Sequence, residues 1–184
     1  CLLPMSFDYG LYQMITGARV GFTVVLEKSF AYPYAIVKRI AELGVTGLPG
    51  VPTIFATILQ LAPYEDLDLG SVRYLSNTAA ALPSAHIHRL PDVFENADIY
   101  SMYGLTECTR VSYLAPEMLH EKISSVGKAM PNEEVFVVDE QGNKLPAGEI
   151  GELVIRGANV MLGYWNNPEA TAARIRPGEF IGER

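Results

Sequence analysis

The amino-acid sequence of 184 residues predicts an α/β fold, in which a parallel sheet with covering helices is followed by an antiparallel β subdomain. Short apolar segments alternate with helix-like segments over residues 1 to about 114, and this order is typical of parallel sheets. After about residue 125, polar and apolar residues alternate between glycine-containing turns, which favours antiparallel strands. We therefore expect a partial α/β subdomain at residues 1–125 and a partial β-barrel-like subdomain at residues 126–184.

Apolar spacing and end signals predict four helices in the first subdomain. In residues 34–43, Ile36 and Ile40 share one face, and Gly44 follows as a C-terminal stop signal. Ser84 is expected to cap the last of the four helices. The predicted helical ranges are 9–16, 34–43, 52–61 and 84–90.

Short apolar segments beside these helices predict the strands. Residues 20–26 are apolar and partly β-branched, so we expect a buried strand there. Leu2 and Leu3 are expected to end an earlier strand. Further strands are predicted at residues 45–48, 72–75 and 99–102. In the second subdomain, strands are predicted at 134–139 and 151–156, with a turn at 141–143 and a short surface helix at 168–174.

The composition excludes several classes of protein. Hydrophobic residues make up 49% of the chain and charged residues 19%, which excludes a disordered chain. The 14 basic and 21 acidic residues give a net charge of −7, which argues against a nucleic-acid partner. No apolar run approaches the ~18 residues that span a membrane. Cys1 and Cys108 form neither a disulfide framework nor a zinc site, and they fit a reducing, cytoplasmic setting.

The two ends of the sequence indicate an interior piece of a longer protein. The chain begins with Cys1 rather than with methionine or a signal peptide, and residues 177–184 resemble the middle of a loop. Such a piece is expected to expose sheet edges that other segments cover. Because unpaired edges favour association, we expect the isolated chain to self-associate.

The stretch Tyr103-Gly104-Leu105-Thr106-Glu107 is the strongest candidate for chemistry. It follows a predicted strand, and ligands of α/β sheets bind at the carboxyl ends of strands. Gly104 allows a ligand to approach the backbone, and the Tyr103 ring offers a flat face to a base. The Thr106 hydroxyl suits a phosphate oxygen, and the Glu107 carboxylate suits Mg²⁺. The structural alternative is a strand end followed by a turn and a solvated glutamate.

Two other stretches contain small or turn-forming residues. Residues 76–83 (SNTAAALP) leave space beside the backbone, or alternatively allow tight packing of a helix on a strand. Residues 148–157 (GEIGELVIRG) and 163–171 (GYWNNPEAT) predict a turn, a strand and a capped helix.

Together and in this order, these stretches resemble the adenylate-forming superfamily, which includes acyl-CoA synthetases, peptide-synthetase adenylation domains and luciferases. The resemblance covers essentially the whole chain and makes residues 1–125 part of a nucleotide-binding large domain. It implies a ligase in which a carboxylic acid attacks the α-phosphate of ATP with the help of Mg²⁺. The thiol of coenzyme A, or of a carrier-protein phosphopantetheine, then displaces AMP.

The resemblance also implies roles for individual residues. Tyr103 would stack on adenine, and Gly104, Leu105 and Thr106 would complete the nucleotide contacts. Thr106 and Glu107 would be the catalytic residues, with Glu107 as the metal ligand. The backbone of Ala79, Ala80 and Ala81 would form a wall beside adenine. The family often has glycine at the position of Ala79, so the added methyl group restricts φ there.

The residues that would contact the acid are Asp8, Met102, Val111 and Ser112. In peptide-synthetase adenylation domains, a similar Phe-Asp pair supplies the aspartate that binds the α-amino group of the substrate. The alternative is that Asp8 caps the helix that starts near Tyr9.

Three functions remain open from the sequence. The residues of the motifs favour a fragment of an acyl-CoA synthetase. The second candidate function is an amino-acid adenylation domain that charges a carrier protein. The third is a non-catalytic nucleotide-binding or interaction module, because the chain lacks the superfamily's phosphate loop and lysine-bearing C-terminal domain. For the same reason, we expect the isolated chain to be inactive.

Overall fold

The structure, a computed structural model, describes residues 1–176 of the chain. The loop predicted at residues 177–184 lies outside the described residues. The described part contains a five-stranded mixed sheet, a two-stranded antiparallel sheet and five α-helices. This architecture confirms the predicted α/β class with an antiparallel β region after it.

The elements follow one another in a simple order along the chain. The helices are α1 (Asp8–Val20), α2 (Pro33–Glu42), α3 (Pro52–Leu61), α4 (Ser84–Arg89) and α5 (Pro168–Arg174). The strands are β1 (Gly47–Gly50), β2 (Tyr74–Asn77), β3 (Asp98–Tyr103), β4 (Ser112–Leu114), β5 (Lys128–Ala129), β6 (Glu133–Val138) and β7 (Glu152–Gly157). Short 3-10 helices lie at Leu90–Asp92 and Pro116–Met118.

The larger sheet has the strand order β1-β2-β3-β4-β5. Strands β1, β2 and β3 run parallel, and Gly50, Asn77 and Ser101 are neighbours across them. Strands β4 and β5 then pair in antiparallel fashion with β3 and with each other. The carboxyl ends of three strands therefore lie at one edge, which is the place where α/β sheets bind ligands.

The core lies between the sheet and helices α2, α3 and α4. Helix α2 contacts α3, and α3 contacts α4. Val37, Phe55, Ile58, Leu75 and Ile87 are almost completely buried in this core. Burial of each such side chain contributes about 1.5–3 kcal/mol, so the core holds the sheet edge in place.

The smaller sheet pairs β6 with β7, from Glu133 opposite Gly157 to Val138 opposite Glu152. The turn between them is closed at Asp139, whose carboxylate accepts from the backbone N–H groups of Gln141 and Asn143 at 2.9 and 2.8 Å. The predicted strands, turn and surface helix of this region are confirmed. The division of the chain into subdomains near residue 125 stays a prediction.

Most differences from the predicted elements lie at the start of the chain. The strand predicted at residues 20–26 is wrong, because α1 continues to Val20 and ends at Gly21 in a left-handed conformation with a φ of 83°. The strand end predicted at Leu2 and Leu3 is also wrong. In place of a strand ladder, Cys1 makes two backbone hydrogen bonds, one to Val25 and one from Glu27.

Two smaller differences concern element ends and short strands. Ser84 does not cap α4, because Pro83 occupies the cap position and Ser84 is the first helical residue. Strands β4 and β5 have three and two residues and carry no apolar periodicity that the sequence reveals. Within residues 1–176, none of the helices combines the length and the apolar character that a membrane crossing requires.

Helix α1 is attached to the sheet through Tyr9. The Tyr9 hydroxyl donates to the carbonyl of Ser76 at 2.8 Å and lies 2.7 Å from the Ser76 hydroxyl. Gly10 fits closely beside it, since a Cβ there would lie 2.3 Å from the Pro4 carbonyl oxygen. Tyr9 therefore fixes the position of α1 beside the carboxyl edge of β2.

Burial raises the pKa of the Tyr9 phenol to about 12, and the hydrogen bond with Ser76 only partly opposes this. An unfolded tyrosine has a pKa of about 10. The folded chain therefore keeps the proton where the unfolded chain loses it. This contribution is complete below pH 10 and is lost between pH 10 and pH 12, at a cost of about 3 kcal/mol at most.

Urea unfolding across this pH range checks the effect. The stability difference between the parent chain and Tyr9→Phe should shrink as the pH rises from 10 to 12. Tyr32→Phe serves as the control, because Tyr32 is 79% exposed. A difference that stays constant over this range would contradict the role of Tyr9 burial.

Candidate functional site

The loops that follow β2 and β3 leave the sheet at the same edge. Residues 78–81 follow β2, and residues 104–110 follow β3. The parallel register brings these loops side by side. Ala79, Gly104 and Asp8 line one cleft of about 1040 Å³ between this edge and α1. A cleft of this size accommodates a small-molecule ligand.

The loop after β2 consists of small residues, of which Thr78 and Ala79 line this cleft. Ala79, Ala80 and Ala81 are all exposed. The buried Asn77 side chain holds the loop by donating to the Ala80 carbonyl at 2.9 Å. Ala79 has a φ of 71°, a left-handed conformation that glycine adopts without strain. The Ala79 methyl group, which was expected to restrict φ, therefore occurs on a left-handed backbone that is strained for a residue other than glycine.

The loop after β3 folds back tightly on itself at Gly104. A Cβ at Gly104 would lie 1.9 Å from the Thr109 carbonyl oxygen, so only glycine fits. The Val111 backbone N–H donates to the Tyr103 carbonyl at 2.9 Å, which closes the base of the loop. Within this loop, Thr106 is exposed, whereas Tyr103 and Leu105 are half-buried. The closed loop places Gly104 and Thr109 in the lining of the cleft, and it does not bring Tyr103, Leu105, Thr106 or Glu107 into that lining.

Glu107 in this loop contacts the segment that follows β7. The Tyr164 hydroxyl donates to Glu107 Oε1, and the Met161 backbone N–H donates to the Glu107 carbonyl at 2.7 Å. The hydrogen bond from Tyr164 holds the pKa of the Glu107 carboxyl below its usual range. The same bond raises the pKa of the Tyr164 phenol. Glu107 is therefore a half-buried, ionised carboxylate at neutral pH.

Asn159 makes a second connection between the two regions. Its Nδ2 donates to the Cys108 carbonyl at 2.7 Å and to the Arg110 carbonyl at 3.4 Å. Sequence reasoning missed the roles of Asn159 and Tyr164. The only sequence signal for a role of Tyr164 was its place in the GYWNNPEAT stretch. Its partner Glu107 is 57 residues away in sequence, so the contact was not visible.

The residues proposed to contact the acid lie in different environments. Asp8 and Met102 line the cleft, whereas Val111 and Ser112 are buried and are not among its lining residues. The Ser112 hydroxyl donates to the Val126 carbonyl at 2.8 Å. The alternative that Asp8 caps α1 is wrong, because Phe7 occupies the cap position without a side-chain hydrogen bond. Asp8 lies instead in the first helical turn, where its negative charge interacts favourably with the helix dipole and stabilises α1.

Glu107 is suited to share a metal ion with a ligand. In residues 1–176, no group of three or more His, Cys, Asp or Glu side chains could hold a metal ion. Mg²⁺ commonly binds one or two carboxylates together with waters and substrate phosphates, so it does not need such a group. An ionised, half-buried Glu107, in a loop whose Gly104 and Thr109 line the cleft, fits this mode of binding.

The fold and the site define an α/β protein with a ligand-sized cleft at the carboxyl edge of its sheet, and the comparison with protein families makes the class specific. The family model of the AMP-binding enzymes matches residues 1–165. The chain therefore belongs to the AMP-binding enzyme family, which confirms the resemblance found in the motifs.

Similar proteins include two CoA ligases. The chain is 32% identical to the acyl-CoA ligase sidI of Aspergillus fumigatus, over 95% of this chain and 30% of the ligase. It is 34% identical to 4-coumarate–CoA ligase 2 of Nicotiana tabacum, over 95% of this chain and 33% of the ligase. The chain thus spans about a third of the length of these relatives.

Two solved structures share this fold. The complex of VinN with L-aspartate superposes with a TM-score of 0.82 and 36% identity, covering 94% of this chain and 42% of VinN. The o-succinylbenzoate coenzyme A synthetase MenE of Bacillus subtilis, solved with ATP and a magnesium ion, has a TM-score of 0.83 and 26% identity. That match covers 97% of this chain and 36% of MenE.

The left-handed backbone of Ala79 predicts a difference between two neighbouring substitutions. Ala79→Gly relieves strain of about 1 kcal/mol, which offsets the greater freedom of glycine in the unfolded chain. Ala80 has a negative φ, so Ala80→Gly should lower the free energy of unfolding by roughly 0.5–1 kcal/mol without any such relief. Urea unfolding of the two variants should differ by about 1 kcal/mol, and equal losses would refute the strain at Ala79.

Proposed function

We propose that the full-length protein carrying this chain is an AMP-forming ligase that activates a carboxylic acid with ATP and transfers the acyl group to a thiol. The observation that supports this most strongly is the arrangement at the carboxyl edge of the sheet. There the loop with Ala79 and the loop with Glu107 meet beside one cleft, in a chain that belongs to the AMP-binding enzyme family.

In this proposal, the two loops bind the nucleotide. The Tyr103 ring stacks on adenine, and the backbone of Ala79, Ala80 and Ala81 forms the wall beside it. Gly104 and Leu105 complete this contact, and Gly104 keeps the loop closed against Thr109. The exposure of Ala79, Ala80, Ala81 and Thr106 suits these roles, because a ligand reaches these residues without moving the core.

The chemistry requires stabilisation of charge at the α-phosphate of ATP. A carboxylate oxygen of the acid attacks this phosphorus, the bond to pyrophosphate breaks, and an acyl-adenylate forms. Thr106 donates its hydroxyl to a phosphate oxygen, and Glu107 holds Mg²⁺, which neutralises phosphate charge when bound. The protein contributes mainly position and electrostatic stabilisation, as in other phosphoryl-group reactions.

The acid is proposed to lie in the cleft beside Asp8 and Met102, which line it; Val111 and Ser112 are buried and do not line it. The thiol is that of coenzyme A, in line with the ligases similar to this chain. A cytoplasmic location, self-association of the isolated chain and its inactivity stay predictions.

Replacement of Glu107 by glutamine tests the proposed metal ligand. The amide keeps the size of the side chain but removes its charge, so adenylation by the full-length protein should slow by roughly a hundredfold. Acid-dependent exchange of pyrophosphate into ATP measures this step. Glu169→Gln is the control, because Glu169 is an exposed carboxylate on α5 and should leave the exchange unchanged. Unchanged exchange in Glu107→Gln would remove Glu107 from the reaction.

An amino-acid adenylation domain is a second candidate function. Asp8 lines the cleft and does not cap α1, so its carboxylate is available to a ligand. VinN, which is 36% identical, was solved with L-aspartate. A carboxylate in a partly dry cleft attracts a substrate ammonium group strongly. The acceptor would then be a carrier-protein phosphopantetheine rather than coenzyme A.

The substrate dependence of Asp8→Ala distinguishes the two candidates. If Asp8 binds an amino group, the variant should lose exchange with amino acids by about tenfold or more, because a charged hydrogen bond is removed. Exchange with fatty and aromatic acids should be unchanged and provides the internal control. Equal activity of parent and variant on every active acid would favour the coenzyme A ligase without an amino-group site.

A further inference from the structure

We propose that Tyr164 is a positioning residue, which holds the Glu107 carboxylate in the orientation that binds the metal–nucleotide complex. This inference rests on the proposed function, since it deepens the role given there to Glu107. It assigns to the segment after β7 a task in the reaction, although this segment does not follow any strand of the larger sheet.

The contact itself is specific to one side chain of that segment. The Tyr164 hydroxyl donates to Glu107 Oε1, whereas its neighbours Leu162 and Trp165 are almost completely exposed. The segment therefore does not approach Glu107 by burying a general apolar surface. The connection is made by the phenol and by the backbone bond from Met161 to the Glu107 carbonyl.

Tyr164 is itself held from behind by helix α5. Its backbone N–H donates to the Thr171 hydroxyl at 2.9 Å, and that hydroxyl donates to the Asn167 carbonyl at 2.8 Å. Asn167 also caps α5, because its side chain accepts from the Ala170 N–H at 3.1 Å. The cap of α5, Tyr164 and Glu107 thus form one connected series of hydrogen bonds.

This series restrains a side chain that is otherwise flexible. A glutamate side chain has three rotatable bonds. Fixing the side chain in one conformation when the ligand binds costs conformational entropy. Because the phenol already holds Oε1, the carboxylate has fewer orientations to lose when the metal–nucleotide complex arrives. Prior ordering of this kind favours binding and the transition state together.

The test uses the full-length protein and the variants Tyr164→Phe, Glu107→Gln and the double variant. ATP binding is titrated with and without Mg²⁺, and acid-dependent pyrophosphate exchange is measured in parallel. Tyr164→Phe should weaken Mg²⁺-dependent ATP binding about tenfold and leave Mg²⁺-free binding unchanged. In the Glu107→Gln background, the same change should have no further effect. Trp165→Phe, on the same segment, should match the parent protein.

A second variant covers the case in which Tyr164→Phe folds poorly. Thr171→Val removes the hydroxyl that holds the Tyr164 backbone but leaves the phenol in place. It should weaken Mg²⁺-dependent binding less than Tyr164→Phe, and it should also have no effect in the Glu107→Gln background. Effects that add fully to those of Glu107→Gln would overturn the proposal, as would unchanged Mg²⁺-dependent binding in Tyr164→Phe.

The two readouts separate this proposal from the proposed function. If the parent protein shows no exchange with any acid, the ligase function fails. The Mg²⁺-dependent binding of ATP then still tests the positioning role of Tyr164. If exchange is normal and Tyr164→Phe matches the parent protein in both measurements, only the positioning role is overturned.

Discussion

The parallel pairing of β1, β2 and β3 is the constraint on which the site depends. It places Gly50, Asn77 and Ser101 side by side, so the loops that follow β2 and β3 must leave the sheet together. The buried core under this sheet holds the edge, and Tyr9 holds α1 against it through Ser76. The cleft is therefore a product of strand direction rather than of any single motif.

Sequence patterns predicted the elements in which one face is clearly apolar. Helices α2, α3 and α5 were predicted to within a residue at either end, because spacing, proline and end signals agree there. Residues 20–26 were predicted wrongly as a strand, because their β-branched composition does not reveal that α1 continues to Val20. Strands β4 and β5 are too short for any period to be visible.

The candidate site shows the same limit in a different form. The motifs predicted that both loops lie at the carboxyl edge of the sheet. They also identified Ala79 as a position where the family often has glycine, and its left-handed backbone agrees with this. The partners of Glu107 and Cys108 were not predictable, because Tyr164 and Asn159 reach them across more than 50 residues. Chain proximity carries no information about such contacts, so only the folded arrangement reveals them.

The contacts of Tyr164 and Asn159 have a consequence for how such chains diversify. They connect the segment after β7 to the loop that contains Glu107, although the cleft is built mainly on the larger sheet. A chimera that joins residues 1–125 of this chain to the corresponding continuation of a relative must inherit both partners in matching positions. Exchange at the predicted boundary between the two regions would separate the Glu107 carboxylate from the phenol that donates to it, so we expect the two regions to recombine as one unit.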